Sequence, residues 1–413
     1  MNSDPDRLPP RPPSRLGGLD VRQSPGQPGI APARRRAVEV TADFSHGDVV
    51  PFPPVSGARE HFLDGLADGG HTAYTRYRGN PSVLADLAPR LAALVGSPVD
   101  PEREVIITPG TQAGLFLALS ALIEPGDKVA VVEPDYFANR RIVRYLGAEL
   151  VGIPLDYTDA GGPATIDLGR LREAVAAGVR VVCLSHPNNP TGAVYPAEMV
   201  AELARICQDG GAFVVIDQLY CRLLYPGTEF THLRSLPGSS GQCVTLLGPS
   251  KTESLSGFRV GVAVGPEWLI DRMEAILSIV SLRAGGYSQS VLRSWLAEPE
   301  GWLAERIEAH RRIRDGIVDR LSAVDGMFVR ATEGGSYLFP RLPELTVPAD
   351  RLIAELAERE GIVVTRGQEF GPGFDDCFRI NFSQDPVRTA DAIDRLARLV
   401  ERYATGEPSA VGG

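Results

Sequence analysis

The sequence has few cysteines and no long apolar run, and both deficits exclude whole classes of protein. Its five cysteines are odd in number and never occur as Cys-x-x-Cys, which argues against a disulfide framework or a zinc site and favours a reducing compartment. No apolar run approaches the roughly 18 residues that a membrane helix needs. The formal charge of -10 argues against a general affinity for nucleic acid or anionic membranes. We therefore expect a cytoplasmic protein without a metal site that binds neither nucleic acid nor a membrane.

The length of 413 residues predicts two compact units, and the apolar content of 43% is that of a globular protein. Residues 1–36 differ from the rest because they hold eight prolines and seven arginines against three aspartates. Such a segment buries too little apolar surface to offset the entropy lost on ordering, and it lacks the apolar centre of a secretory signal. We expect residues 1–36 to form a disordered arm.

Short apolar runs alternate with helical stretches from about residue 105 onwards. The predicted strands are Glu104–Thr108, Lys128–Glu133, Ala148–Leu155, Val179–Ser185, Ala212–Asp217, 243–248 and 259–264. Strands separated by helices of this length predict an α/β fold, with a mostly parallel sheet sandwiched by helices.

The pattern changes after about residue 267, where a long charged helix precedes short strands, among them Met327–Ala331. This part predicts a smaller α+β unit. We expect an N-terminal segment at 37–60 that packs on the small domain, a large domain at 61–290, and a small C-terminal domain at 291–413.

Unusual polar residues follow the predicted strands, at the sheet edge where open α/β folds bind ligands. Residues 109–112 form a turn into a helix, and the free N–H groups there favour an anion. A loop at 186–192 presents amides, Asp217 ends a strand shortly before Tyr220, and Lys251 follows a serine. Taken singly, these features also fit an ordinary turn, a rigid loop, a helix cap and a solvated charge.

Together these residues would place an amine, an acid, a phenol and an anion site at one edge of one sheet. Pyridoxal phosphate requires such a set: an amine for a Schiff base, an acid for the ring nitrogen, and an anion site for the phosphate. The sequence resembles the class I/II aminotransferases, which are pyridoxal phosphate enzymes of fold type I that include aspartate aminotransferase. The matching segments are Tyr74 to Gly79, TPGTQAG (108–114), EPDY (133–136), HPNNPTG (186–192), DQLY (217–220), SKTESLSGFRVG (250–261) and FRINF (378–382).

The resemblance implies a role for each matching residue. Lys251 would form the Schiff base and move the substrate proton, and Asp217 would pair with the ring nitrogen. Tyr220, together with Asn189, would hydrogen-bond the phenolic oxygen of the cofactor. The implied cofactor-binding residues are Gly110, Thr111, Gln112, Tyr136, Asn189, Asp217, Tyr220, Ser250, Lys251, Arg259 and, from the other subunit of a homodimer, Tyr74. The implied substrate-binding residues are Arg379 for the α-carboxylate, with Asn189, His46, Gly47, Arg283 and Tyr287.

The resemblance also implies the reaction, which is transfer of an amino group from an L-amino acid to a 2-oxo acid. Glutamate and 2-oxoglutarate would form one substrate pair, and a homodimer would share its active sites. One alternative is a pyridoxal phosphate enzyme of specialised metabolism that catalyses elimination, cyclisation or oxidation. Another is a binding module without enzymatic activity.

Several residues depart from the family pattern, among them Gln112, Pro249 and Glu253. Gln112 stands where some aspartate-preferring relatives have lysine, so specificity for aspartate is not implied. Pro249 precedes the lysine segment, where it would stiffen the loop. Glu253 stands where aromatic or small residues are more usual. We expect its side chain to point to solvent, and the alternative is that it changes the charge near the Schiff base.

Overall fold

The computed structural model describes residues 38–47, 49, 51–159 and 161–405. The predicted arm at 1–36 lies outside the described residues. Within those ranges, no helix combines the length and the apolar character that crossing a membrane demands.

Strands and helices alternate along most of the chain. The strands are β1 (Ala42–Asp43), β2 (Val105–Thr108), β3 (Lys128–Glu133), β4 (Glu149–Asp156), β5 (Thr165–Ile166), β6 (Val179–Ser185), β7 (Phe213–Asp217), β8 (Cys243–Leu247), β9 (Gly261–Val264), β10 (Tyr337–Leu338), β11 (Ile362–Val363), β12 (Thr365–Arg366) and β13 (Phe378–Asn381). The helices are α1 (Ala58–Gly65), α2 (Pro81–Val95), α3 (Thr111–Leu122), α4 (Phe137–Tyr145), α5 (Leu168–Ala176), α6 (Ala197–Gly210), α7 (Glu267–Val280), α8 (Gly286–Gln289), α9 (Trp302–Ser322), α10 (Ala349–Arg359) and α11 (Pro386–Thr405).

The main sheet has the strand order β2-β9-β8-β7-β6-β3-β4-β5. Its central strands β8, β7, β6, β3 and β4 are parallel, whereas β9 is antiparallel to both of its neighbours and β5 is antiparallel to β4. The predicted α/β fold with a mostly parallel sheet is therefore confirmed.

Both faces of this sheet are buried under helices. Alternate residues of β3 enter different cores, since Ala130 and Val132 pack on one face and Val129 and Val131 on the other. Side chains of a strand alternate between the two faces, so a strand buried on both sides is a continuous apolar run. This is why the carboxyl ends of the strands, where the chain becomes polar, stand out in the sequence.

The C-terminal part has its own apolar core, to which α9, α10 and α11 contribute. Strand β13 lies between β10 and β12, and β1 pairs in parallel with β11. The strand predicted at Met327–Ala331 is not formed, because only Phe328 bridges to Arg341. Further along this segment, the Arg330 side chain donates to the backbone carbonyl of Gly162 at 2.8 Å, outside any strand ladder. The domain boundaries at 60/61 and 290/291 stay predictions.

Candidate active site

Lys251 follows β8 and contacts the N-terminal segment. Its Nζ atom donates a hydrogen bond to the carbonyl oxygen of Gly47 at 2.7 Å. A Cβ atom at position 47 would lie 2.4 Å from Lys251 Nζ and 2.7 Å from the Tyr337 hydroxyl. Only glycine therefore lets the backbone approach the lysine amine this closely.

Asp217 ends β7, level with Ser185 of β6 and Leu246 of β8. Its Oδ1 atom accepts a hydrogen bond from the Leu219 N–H at 3.0 Å. Burial raises the pKa of the Asp217 carboxyl to about 6, while the Leu219 hydrogen bond and the charge of Lys251 oppose this rise. A cationic group in contact with the carboxylate would offset the cost of burying its charge, so a protonated pyridine nitrogen fits this position.

The start of α3 forms a cradle for an anion. Gly110, which precedes the helix, has a φ of 89°, and no side chain caps the helix start among the described residues. A Cβ atom at Gly110 would lie 2.4 Å from Arg259 Nη2, and one at Gly261 would lie 2.4 Å from the Thr111 nitrogen. The two glycines thus let a guanidinium meet free backbone N–H groups, a donor set that fits a phosphate.

Arg379 on β13 is buried, with 4% of its surface exposed. Its Nη1 donates to Asn189 Oδ1 at 3.0 Å and its Nη2 to the Ser45 carbonyl at 2.8 Å. The Nε atom has no hydrogen-bond partner in the described part of the chain. A buried guanidinium with an unused donor fits a carboxylate ligand.

Asn189 is held in place by residues of two neighbouring strand ends. Its backbone N–H donates to Ser185 Oγ at 3.0 Å, and that hydroxyl donates to Asp135 Oδ1 at 2.6 Å. Asp135 is fully buried, and burial raises the pKa of its carboxyl to about 8. Sequence reasoning assigned Tyr136 in the EPDY segment but missed Asp135, although an acid at a strand end between proline and tyrosine is a visible signal.

Tyr337 is a second residue that sequence reasoning missed. Its hydroxyl lies 2.8 Å from that of Tyr220, and its ring centre lies 4.2 Å from the Arg379 guanidinium carbon. The signal was a tyrosine that closely follows two glycines and opens a short buried strand.

Other predicted cofactor residues also meet at the start of α3. The Tyr136 hydroxyl donates to Gln112 Oε1 at 2.9 Å, which links the EPDY segment to the first turn of α3. Ser250 is buried next to Lys251 in the chain. These positions agree with a site that spans the ends of several strands.

Tyr74, Arg283 and Tyr287 form a separate group at the surface. The Arg283 guanidinium carbon lies 4.3 Å from the Tyr74 ring centre and 4.4 Å from the Tyr77 ring centre. Tyr287 packs edge-on against Phe62, with ring centres 5.5 Å apart. In the described part of the chain, no hydrogen bond or ring contact joins any of these three residues to Lys251, whose Nζ atom donates to Gly47.

The two residues expected in the N-terminal turn of the pocket differ in their contacts. The His46 ring lies 3.5 Å from the Asp43 carboxylate, and the His46 carbonyl accepts a hydrogen bond from Asn381 at 2.6 Å. Gly47, the next residue, is the one that meets Lys251.

The expectation that Glu253 points to solvent is wrong. Its side chain is only 1% exposed and pairs with Arg222. The reason is the direction of the loop, because the Val55 N–H donates to the Glu253 carbonyl at 3.1 Å and the loop is thereby covered by the N-terminal segment.

Comparison with known proteins gives relatives over most of the chain. An aspartate aminotransferase of known structure from Rhodobacter sphaeroides is 50% identical, with a TM-score of 0.86, over 88% of this chain and 93% of that one. An aspartate aminotransferase from Sulfolobus acidocaldarius is 26% identical over 85% of this chain and 88% of its own length. An arginine–pyruvate transaminase from Pseudomonas aeruginosa is 28% identical over 82% of this chain and 84% of its own length.

These relatives confirm the family that the motifs predicted, and with it the cofactor. Residues 44–396 match the family of class I and II aminotransferases, so the chain belongs to this family and is a pyridoxal phosphate-dependent aminotransferase.

Proposed function

We propose that this aminotransferase uses glutamate and 2-oxoglutarate as one substrate pair and binds their α-carboxylate through Arg379. The observation that carries α-carboxylate binding is the buried Arg379 guanidinium, whose Nε atom is unpaired in the described residues while Nη1 is held by Asn189. The 50% identical structure is an aspartate aminotransferase, and its name supports an acidic amino acid as one substrate. Aspartate and glutamate share the second carboxylate, although Gln112 leaves specificity for aspartate itself unsupported.

The proposed roles follow from the donors and charges at the site. When bound, pyridoxal phosphate supplies an aldehyde that joins an amine and a cationic ring that withdraws electrons from the substrate Cα. Lys251 would bind the aldehyde and then accept the proton from the substrate Cα. Asp217 would hold the ring nitrogen protonated, and Asn189 and Tyr220 would donate to the phenolic oxygen.

The phosphate would lie against the start of α3. Thr111 and Gln112 would offer backbone N–H groups, with the Ser250 hydroxyl and the Arg259 guanidinium beside them. Gly110, whose own N–H donates to the Thr108 carbonyl at 2.7 Å, would leave room for that guanidinium. Tyr136 would pack on the cofactor ring, in reach of Gln112, to which it is already hydrogen-bonded.

We also propose a two-fold homodimer with shared active sites. Tyr74 is 80% exposed and Ile279 83% exposed, and Val280 and Leu282 are further exposed apolar residues. An exposed apolar surface of this kind is typical of a subunit interface, and in a two-fold dimer it would carry Tyr74 towards the partner's phosphate site. Arg283, which stacks on Tyr74, would then lie near the substrate side chain or support the interface.

We place the enzyme in the cytoplasm. All five cysteines are free thiols and buried, which is typical of proteins made in a reducing compartment.

The proposal is tested with the purified, cofactor-loaded protein and a panel of amino acids. We expect 2-oxoglutarate to accept the amino group and glutamate to appear in equal amounts with the matching 2-oxo acid, measured by mass spectrometry. Borohydride treatment should fix the cofactor on Lys251, and the Lys251→Ala variant should lose both this adduct and nearly all turnover. Mapping of the adduct to another lysine would refute the assignment of Lys251, and no glutamate would refute the substrate pair.

A further inference from the structure

A buried charge cluster lies beside the proposed site, and none of the proposed catalytic or binding roles uses it. Its members are Arg222, Glu253, Glu298 and Arg306. Arg222 pairs with both Glu253 and Glu298, and the three side chains are 10%, 1% and 13% exposed. Burying charges is costly unless they are paired, so such a cluster calls for a role.

Arg222 and Glu253 each lie inside a turn that begins at a proposed site residue. The turn around Arg222 is closed by a hydrogen bond from the Leu223 N–H to the Tyr220 carbonyl at 2.9 Å. The turn around Glu253 is closed by the Ser254 N–H and the Lys251 carbonyl at 3.2 Å. The ion pair therefore connects the Tyr220 turn directly to the Lys251 turn.

The Lys251 turn is also held from a third direction. Ser254 has a φ of 59°, in the left-handed region that serine rarely adopts. Its hydroxyl accepts a hydrogen bond at 2.8 Å from Arg306 on α9, and Arg306 also donates to the Pro53 carbonyl. A backbone in this conformation persists only where its surroundings hold it, and such positions are concentrated at functional sites.

We propose that the Arg222–Glu253 ion pair is a positioning device that fixes the Tyr220 turn against the Lys251 turn. The pair sets the distance between the Tyr220 hydroxyl and Lys251 Nζ, and Glu298 and Arg306 connect it to the C-terminal unit. In this role Arg222 and Glu253 would act through the two turns and not by contact with substrate or cofactor. The inference rests on the proposed roles of Lys251 and Tyr220, and it gives Glu253 a function at the position where the resemblance implied that aromatic or small residues are more usual.

Burial is the largest influence on the pKa values of this cluster. Burial raises the pKa of Glu253 to about 7, with Arg222 opposing the rise and Glu298 adding to it. Burial lowers the pKa of Arg306 to about 10, with Glu253 opposing the fall.

The test follows the visible absorbance of the cofactor-loaded protein as a function of pH. The midpoint of this titration reports the proton affinity of the bond between Lys251 and the cofactor. A residue pair that only supports the fold would leave this midpoint unchanged when it is replaced. Glu253→Asp keeps the charge but shortens the side chain, and we expect it to shift the midpoint by about half a pH unit or more. The double variant Arg222→Met/Glu253→Leu should shift it as well, with a lower kcat and an unchanged KM for the 2-oxo acid.

The double variant also guards against misfolding, because replacing a buried ion pair by apolar residues is often tolerated whereas a single unpaired charge is not. Its matched control is Arg234→Met/Glu104→Leu, which removes an ion pair of 2.7 Å whose arginine is 1% exposed. We expect the control to keep the wild-type midpoint.

Equal midpoints in wild type, Glu253→Asp and the double variant would overturn the inference. An equal shift of the midpoint in the Arg234→Met/Glu104→Leu control and in the Arg222→Met/Glu253→Leu variant would overturn it too. Failure of the proposed function is distinguished by mapping the borohydride-fixed adduct in the wild-type protein, which reports on Lys251 independently of these variants.

Discussion

The hydroxyl oxygens of Tyr220 and Tyr337 lie 2.8 Å apart, although the two residues are 117 positions apart in the chain. Tyr337 also presents its ring to the Arg379 guanidinium, so it contacts a proposed cofactor ligand and the proposed carboxylate ligand at once. The two halves of the proposed site are therefore joined by one side chain.

Tyr337→Phe should separate these two contacts. The variant removes the hydroxyl that meets Tyr220 but keeps the ring under Arg379, so we expect a shifted absorbance titration of the cofactor and little change in KM. Tyr337→Leu removes the ring as well, and the loss of the cation–π contact should weaken substrate binding by about 0.5–2 kcal/mol. Steady-state kinetics on both variants checks this, and a raised KM in Tyr337→Phe alone would contradict it.

Asp217→Asn should change how the stability of the cofactor-free protein depends on pH. The pKa of this carboxyl is raised from 3.8 to about 6, so the folded protein keeps a proton that the unfolded chain releases. The free energy of unfolding therefore falls as the pH rises from 3.8 to about 6. The asparagine variant has no carboxyl to titrate at this position, so it lacks this part of the fall. Urea unfolding at pH 5 and pH 7 measures the difference between wild type and variant.

The control for this experiment is Asp209→Asn, because the Asp209 side chain is 66% exposed. The free energy of unfolding of Asp209→Asn should depend on pH in the same way as that of the wild type. With cofactor bound, Asp217→Asn should also lower turnover by about 10²–10⁴-fold, the range for a general catalytic group. Near-wild-type turnover would remove Asp217 from the proposed site.

Arg379→Gln should lower kcat/KM for the amino acid and for the 2-oxo acid alike. Loss of a charge-assisted hydrogen bond costs about 1.5–3 kcal/mol, and the reaction of an amine without a carboxylate should be spared. Arg366→Gln is the matched control on the neighbouring strand, where the arginine is 47% exposed and 3.4 Å from Asp350. Equal losses in both variants would show a structural effect rather than carboxylate binding.

Arg283→Ala should distinguish a substrate contact from an interface contact. If Arg283 binds an acidic side chain across the dimer, the variant loses about 1.5–3 kcal/mol with glutamate and little with an apolar amino acid. Sedimentation of wild type, Arg283→Ala and Tyr74→Phe measures the dimer, and Tyr74→Phe should retain it while holding the cofactor less tightly. An active wild-type monomer would contradict the shared site.

Much of the architecture could be predicted from sequence because it is locally encoded. Continuous apolar runs indicate strands buried on both faces, and turn residues mark where each strand ends. That local pattern placed Asp217 and Lys251 at the same sheet edge, and the structure has both there. The prediction of a strand at Met327–Ala331 was wrong because an apolar run cannot reveal whether a partner strand is available along its whole length.

What the sequence determined by itself is the family and the cofactor, and its short motifs predict the residues of the site. The tertiary structure decided the contacts between distant segments: Glu253 against Arg222, Tyr337 against Tyr220, and Asp135 behind Ser185. The physical reason is that a polar side chain has the same local signature whether it is solvated or paired in the interior. Only packing determines whether a partner is present to offset the loss of water, and that partner comes from another part of the chain.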